Sequence, residues 1–195
     1  MDPAFWEQVL RSRLTVRRFE HSLRVARTAE NLARLWAADP EKAYLAGLIH
    51  DLARDMEPAE LLKQAADYGI ICNEIEADFP VLLHGPLGAA ILQRDYNLTD
   101  SEILEAVSLH TTGDYPLGTI AKIVFLADYI EPGRAYQGVE SARVAAQSGL
   151  DLGVAAAVRS IITYLAEQQM TIHPKTLNLY NHYVLTGILR NSEKG

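Results

Sequence analysis

Apolar residues recur at intervals of three and four along nearly the whole chain, and strand-like alternation is almost absent. That regularity dictates helices. The spacing predicts them near residues 3–13, 15–38, 41–53, 58–68, 86–97, 100–110, 117–131, 138–147, 150–168 and 174–191. Local start signals agree. Thr99-Asp100-Ser101-Glu102 offers a cap followed by an acidic first turn. Gly85-Pro86 puts proline at a first helical position, and Pro40 and Pro58 punctuate two further joints. Gly113 to Gly118, with Pro116, reads as a loop. No repeat, low-complexity tract or long linker divides the chain. The expected fold is an all-α, irregular compact helical bundle forming a single domain over 1–195. Its core spans about 15–135, and helices over 138–191 pack on it.

Composition narrows the function. At 195 residues, 49% apolar and 22% charged, the chain has the balance of a globular protein. A formal charge of −7 argues against a nucleic-acid binder, though a local basic patch still suffices for a small anion. Cys72 is the one cysteine, so an internal disulfide is impossible and a reducing compartment is expected. The opening MDPAFWEQVL lacks the basic-then-apolar order of a signal peptide, and the apolar runs fall short of the ~20 residues a membrane span needs. A cytoplasmic location without membrane contact is the expectation.

Several polar residues then stand where apolar ones belong. Val25, Ala29, Leu32 and Trp36 form a helical stripe, and His21 extends it backward by one turn. In "LAGLIHDLARDM", His50 shares a face with Ala43, Ala46 and Gly47, and Asp51 follows at once. Asp128 lies on the stripe of Ile120, Ala121 and Val124, where a carboxylate is costly unless partnered. His84 precedes Gly85-Pro86, and His110 closes a helix before Thr-Thr-Gly-Asp. Any one of these alone has an ordinary explanation as a satisfied core or capping residue. Together, four imidazoles and two carboxylates suit Zn, Fe, Mn or Co, and the absence of thiol ligands disfavours a structural zinc site. Six ligands exceed one ion's need, whereas two ions sharing a carboxylate would use them all. His173 and His182 fit this set poorly and are expected at the surface.

The order His21, His50-Asp51, His84, His110, Asp128 resembles the HD-domain metal-dependent phosphohydrolases. The stretches "RRFEHSLRVARTAENLA", "GLIHDLARDM", "LLHGPLGAAIL", "AVSLHTTGD", "KIVFLADYIEPGR" and "TLNLYNHYV" are similar, more narrowly, to the YqeK family of symmetrical bis(5′-nucleosyl)-tetraphosphatases. The resemblance runs from about residue 10 to 190. It implies that His21, His50, Asp51 and Asp128 hold one metal, and that Asp51 bridges to a second held by His84 and His110. It also implies a di-iron centre that cuts diadenosine tetraphosphate into two ADP. The family often has lysine three residues after the paired aspartate; here it is Arg54. Arginine keeps the charge but presents a planar fork. Asp114 departs from the family too, at a position that is often basic.

The chemistry expected of such a site is attack by a hydroxide bridging two ions, which also neutralise the phosphoryl oxygens. Asp51 and Arg54 are the candidate catalytic residues. Arg18, Arg54, Thr111, Gly113 and Arg134 are candidate substrate contacts, and Tyr180-Asn181 is a weaker pair. Two alternatives stand beside this reading: hydrolysis of another nucleotide, such as a deoxynucleoside monophosphate or an alarmone, and a non-catalytic nucleotide sensor. The sequence leaves oligomeric state open, a homodimer included.

Overall fold

Several helices begin at a residue whose side chain caps them. In the computed structural model, which describes residues 3–191 and side chains through Leu189, Thr15 accepts a hydrogen bond from Arg18 N–H at the start of α2 (Val16–Leu35), the helix after α1 (Pro3–Arg13). Asp39 caps α3 (Pro40–Ile49) by accepting from Glu41 and Lys42 N–H, and Pro40 fills the first helical position. Next come α4 (Pro58–Asp67) and the short α5 (Glu74–Asp78), which Asn73 and Glu76 open with a reciprocal capping box. A 3₁₀ turn (Pro80–Leu83) runs straight into α6 (His84–Asp95). Asp100 caps α7 (Ser101–Leu109), ahead of α8 (Thr119–Ile130) and α9 (Val139–Ser148). α10 (Leu150–Glu167), α11 (Pro174–Leu185) and α12 (Ile188–Asn191) complete the order, and no strand occurs among the described residues. The terminal residues of the expected 1–195 span lie outside the described residues.

The architecture is the expected irregular all-α bundle. α8 is apolar almost all round and is the central helix, with α2, α3, α7 and α10 packed on it. One contiguous core runs from Trp6 to Leu189. Trp36 Nε1 donates to Ala146 O at 3.1 Å and ties the end of α2 to α9. The α2–α3 crossing is close because Gly47 lies there: a Cβ would meet Ala26 Cα at 3.0 Å and Ala29 Cβ at 3.2 Å. That approach brings the His21 and His50 rings to 5.4 Å between centroids.

Four boundaries differ from the expected ones. The helix expected to run to 53 ends at Ile49, because Leu52 and Arg54 N–H turn to carbonyls three residues back, at Ile49 and Asp51. His50 and Asp51 therefore lie on a tight turn rather than in mid-helix. α2 stops at Leu35, before Ala37 at φ 52°, and Gly187 at φ 81° splits the expected 174–191 helix in two. α6 starts at His84 rather than after it, because the 3₁₀ turn feeds it directly, and α5 is too short for apolar periodicity to show.

Candidate metal centre

The six residues picked from the sequence converge. His50 and Asp51 leave the end of α3, His21 faces them from α2, Asp128 from α8, His84 from the start of α6 and His110 from the end of α7. His21, His50, Asp51, His84 and His110 are all buried. Their donor atoms form three overlapping triads, each within 4.8 Å: His21/His50/Asp51, His50/His110/Asp128 and Asp51/His84/His110. Asp51 is the hub. Its Oδ2 lies 3.8 Å from His21 Nε2 and 3.4 Å from His50 Nε2, and its Oδ1 lies 3.2 Å from His84 Nε2 and 3.6 Å from His110 Nε2.

Backbone geometry decides which nitrogen each imidazole turns inward. His50, His84 and His110 donate from Nδ1 to the carbonyl three residues earlier: Gly47 O at 2.7 Å, Val81 O, and Val107 O at 2.7 Å. His21 donates from Nδ1 to Glu131 Oε1 at 3.1 Å. A carbonyl or carboxylate only accepts, so Nδ1 carries the proton and the neutral ring presents a lone pair at Nε2. All four Nε2 atoms point into the cluster. His84 Nε2 and His110 Nε2 stand 2.9 Å apart, and Thr111 Oγ1, at 3.2 and 2.9 Å from them, has one proton to give. Burial pushes the His84 pKa down, which disfavours a proton as the missing partner. His21 Nε2 and His50 Nε2 are buried and make no hydrogen bond, although carboxylate oxygens stand close by, Asp128 Oδ1 at 3.0 Å from the first and Asp51 Oδ2 at 3.4 Å from the second. Converging lone pairs with anionic carboxylates between them are the donor set of a divalent cation.

Behind the cluster lies Glu131, which the sequence reading did not single out. It is 1% exposed and takes His21 Nδ1–H on one oxygen, with Arg24 Nε at 2.7 Å and Gly133 N–H at 2.6 Å on the other. Burial alone would raise its pKa, but the Arg24 hydrogen bond, with Gly133 and His21, holds it below the ordinary carboxylate value. Its sequence signal was available: it follows Asp128 by three, on the same helical face, just before Pro132-Gly133. Arg143, also missed, donates to Ile130 O, Glu131 O and Arg134 O at 3.0, 2.9 and 3.0 Å, and so clamps the loop after α8. A single arginine on an amphipathic helix, half-buried here, gives no such signal in sequence.

The expected substrate contacts fare unequally. Arg18 Nη1 reaches Asp51 Oδ2 at 3.0 Å. Arg54 is half-buried on the turn after Asp51, and its side chain has no ion pair or hydrogen bond among the described residues. Thr111 sits on the cluster itself. Arg134 grips Asp128, with Nη2 on Oδ1 at 2.6 Å and Nε on the backbone O at 3.0 Å. Gly113 is different. Its N–H is already donated to Leu109 O at 2.7 Å, and at φ 63° a Cβ would strike Leu179 at 2.5 Å. It turns the chain and lets α11 close in, and it has no N–H left for a phosphate. Tyr180 is half-buried and Asn181 exposed, and neither lines the cavity beside the cluster. His173, expected at the surface, is 5% exposed: it caps α11 and faces Glu76 Oε1 at 3.5 Å, against an α5 that periodicity did not reveal. His182 is half-buried and stacks on Tyr115, with centroids 3.7 Å apart.

A helical bundle that gathers histidines and aspartates from five helices around one buried aspartate defines a class, and the family model that matches residues 18–133 is the HD domain. All six cluster residues fall inside that match. The chain is 34% identical over 179 residues to the symmetrical bis(5′-nucleosyl)-tetraphosphatase of Staphylococcus aureus, covering 91% of this chain and 92% of the relative. It is 35% identical over 178 residues to the protein of the same name from Halalkalibacterium halodurans, covering 91% and 95%. It also matches the crystal structure of a predicted HD superfamily hydrolase involved in NAD metabolism from Clostridium acetobutylicum, with TM-score 0.90 and 29% identity, covering 95% of this chain and 98% of that one. The chain belongs to the HD-domain family of hydrolases and, within it, to the family of the symmetrical bis(5′-nucleosyl)-tetraphosphatases.

Proposed function

We propose that this protein hydrolyses diadenosine tetraphosphate symmetrically to two ADP at the histidine–aspartate cluster. The observation that carries the reading is the convergence of four inward Nε2 lone pairs on Asp51, next to the guanidiniums of Arg18 and Arg134. In this reading His21, His50, Asp51 and Asp128 hold one divalent ion and Asp51, His84 and His110 a second. Iron is the first metal to test, with manganese, cobalt and zinc as substitutes. When bound, such ions supply an acidified water as nucleophile, bridging as hydroxide, and positive charge for the phosphoryl oxygens. The chain's own groups do the rest. Arg54, uncommitted, and Arg18 offer donors to the polyphosphate near Asp51, and Arg134 orients Asp128 while leaving Nη1 for a phosphate oxygen. Thr111 steadies His84 and His110. Glu131 and the three carbonyls fix each ring so that the ligand nitrogens do not swing out.

The test is product analysis with protein purified anaerobically and loaded with iron or, in parallel, manganese. Diadenosine tetraphosphate should yield ADP alone, and Asp51→Ala should abolish turnover while circular dichroism shows retained helix. AMP plus ATP would overturn the symmetrical cut. No product from protein shown to carry two ions would redirect the search to another nucleotide or to a sensing role.

A further inference from the structure

A cavity of about 770 Å³ opens off the cluster, in the size range of roughly 300–1,000 Å³ typical of small-molecule sites. His110, Thr111, Asp128 and Arg134 form its near end, and the rest is lined by the 136–138 turn and by α10 as far as Tyr164, two walls that Ser160 Oγ ties together by donating to Gln137 O at 3.2 Å. Two features give its far part the character of a nucleoside site rather than a phosphate site. The first is aromatic surface. Tyr136 is fixed by donating its hydroxyl to Tyr129 O at 2.6 Å and by edge contact with the Tyr129 ring at 5.1 Å, yet it is 41% exposed. Tyr164, on the opposite wall, is 59% exposed. Large aromatic faces left open beside a polar cleft are what a base stacks on. The second is charge. Beyond Arg134 the ionisable groups of the wall are Arg159 and Glu167, one of each sign, together with tyrosine hydroxyls. That end has no net positive charge to attract phosphate.

The other flank of the hub is different. Arg18 and Arg54 lie by Asp51 and do not line this cavity. A dinucleoside tetraphosphate cut at its middle has two identical arms, and both must leave the cluster in some direction. We propose that the cavity along α10 is the subsite for one adenosine arm of the substrate, with the base against Tyr136 and Tyr164 and Arg134 at the point where the phosphates meet the cluster. This rests on the activity proposed above and adds where one half of the molecule lies.

Two variants test it without touching the cluster. Ala156→Trp places an indole in the cavity from α10, where Ala156 is half-buried and lines the wall. Tyr164→Ala removes an exposed ring and leaves the core intact. Metal-loaded protein is assayed on diadenosine tetraphosphate and on adenosine 5′-tetraphosphate, which has one nucleoside arm and can seat it in the other flank. Binding of a methylene-bridged, uncleavable diadenosine tetraphosphate is measured by calorimetry in parallel. The ratio of kcat/KM for the two-armed over the one-armed substrate should fall about tenfold or more in each variant, through KM, as expected for the loss of one stacked base. Affinity for the analogue should fall by a similar factor. A ratio within twofold of the wild type in both variants, or an unchanged analogue affinity, overturns the subsite. Should the wild type turn over neither substrate, the activity reading fails by itself. The subsite then stands if the analogue binds and Ala156→Trp weakens it, and falls if the analogue does not bind.

Discussion

At the scale of single residues, the centre depends as much on what stands behind each imidazole as on the imidazole itself. Glu131 holds His21 by its outward nitrogen and is held in turn by Arg24 and Gly133. Glu131→Gln keeps the shape but offers an amide where a carboxylate took three donors, from His21, Arg24 and Gly133. We expect metal affinity to drop by about 10–100-fold with helix content unchanged, read by competition with a metallochromic chelator. An unaltered affinity would show that His21 is fixed by packing alone. The six donors were legible in sequence because each is polar on an apolar face or at a helix end, a misfit that only a shared partner resolves. Glu131 was less legible, since a glutamate beside Pro-Gly at a helix exit has an everyday reading as a surface residue.

At the scale of elements, the decisive geometry is the crossing of α2 and α3. Gly47 permits the backbone approach that places His50 beside His21, and Ala26 and Ala29 are the small partners facing it. Gly47→Val forces atoms into contacts already at 3.0–3.2 Å, so the helices must separate. The expected cost is about 1–3 kcal/mol of stability, seen as a lower denaturation midpoint at unchanged slope. The variant should also lose metal before it unfolds, because the shift displaces two donors at once. A metal-titration curve matching wild type would argue that the turn after Ile49 absorbs the strain. Periodicity located nine of the longer helices within a few residues. It missed α5 and the 3₁₀ turn because segments of four or five residues complete barely one turn and show no stripe. It overran α3 because the switch from four-residue to three-residue hydrogen bonding leaves no trace in hydropathy.

At the scale of the whole molecule, the C-terminal helices are tied to α8 through polar contacts at the edge of a shared core. Asp151 on α10 accepts from the buried Tyr183 of α11 at 2.7 Å and pairs with Lys122 of α8 at 2.7 Å. Burial would raise the Asp151 pKa, but Lys122 and Tyr183 together bring it below the ordinary 3.8. A depressed carboxylate stabilises the fold fully above its unfolded value, and the contribution is lost as pH falls through the folded one. Asp151→Asn should therefore be less stable than wild type above about pH 5, with the two converging in strong acid. Urea midpoints across pH would reveal it, and a gap independent of pH would assign the effect to hydrogen bonding alone. The all-helical class was readable from the spacing of apolar residues. Polar ties such as this one were not, because Asp151 and Lys122 read as ordinary solvated charges on amphipathic helices.

The clamp made by Arg143 bears on how far the molecule can be divided. The HD-domain match ends at residue 133, yet the loop that follows α8 is fastened by a side chain ten residues past that limit, on a helix the match does not include. A protein truncated at the family boundary would keep every proposed metal ligand, yet it would lose Arg134 and leave Glu131 on a frayed stump. The smallest autonomous working unit must extend at least through α9, so limited proteolysis between α8 and α9 should silence the centre without removing a single ligand.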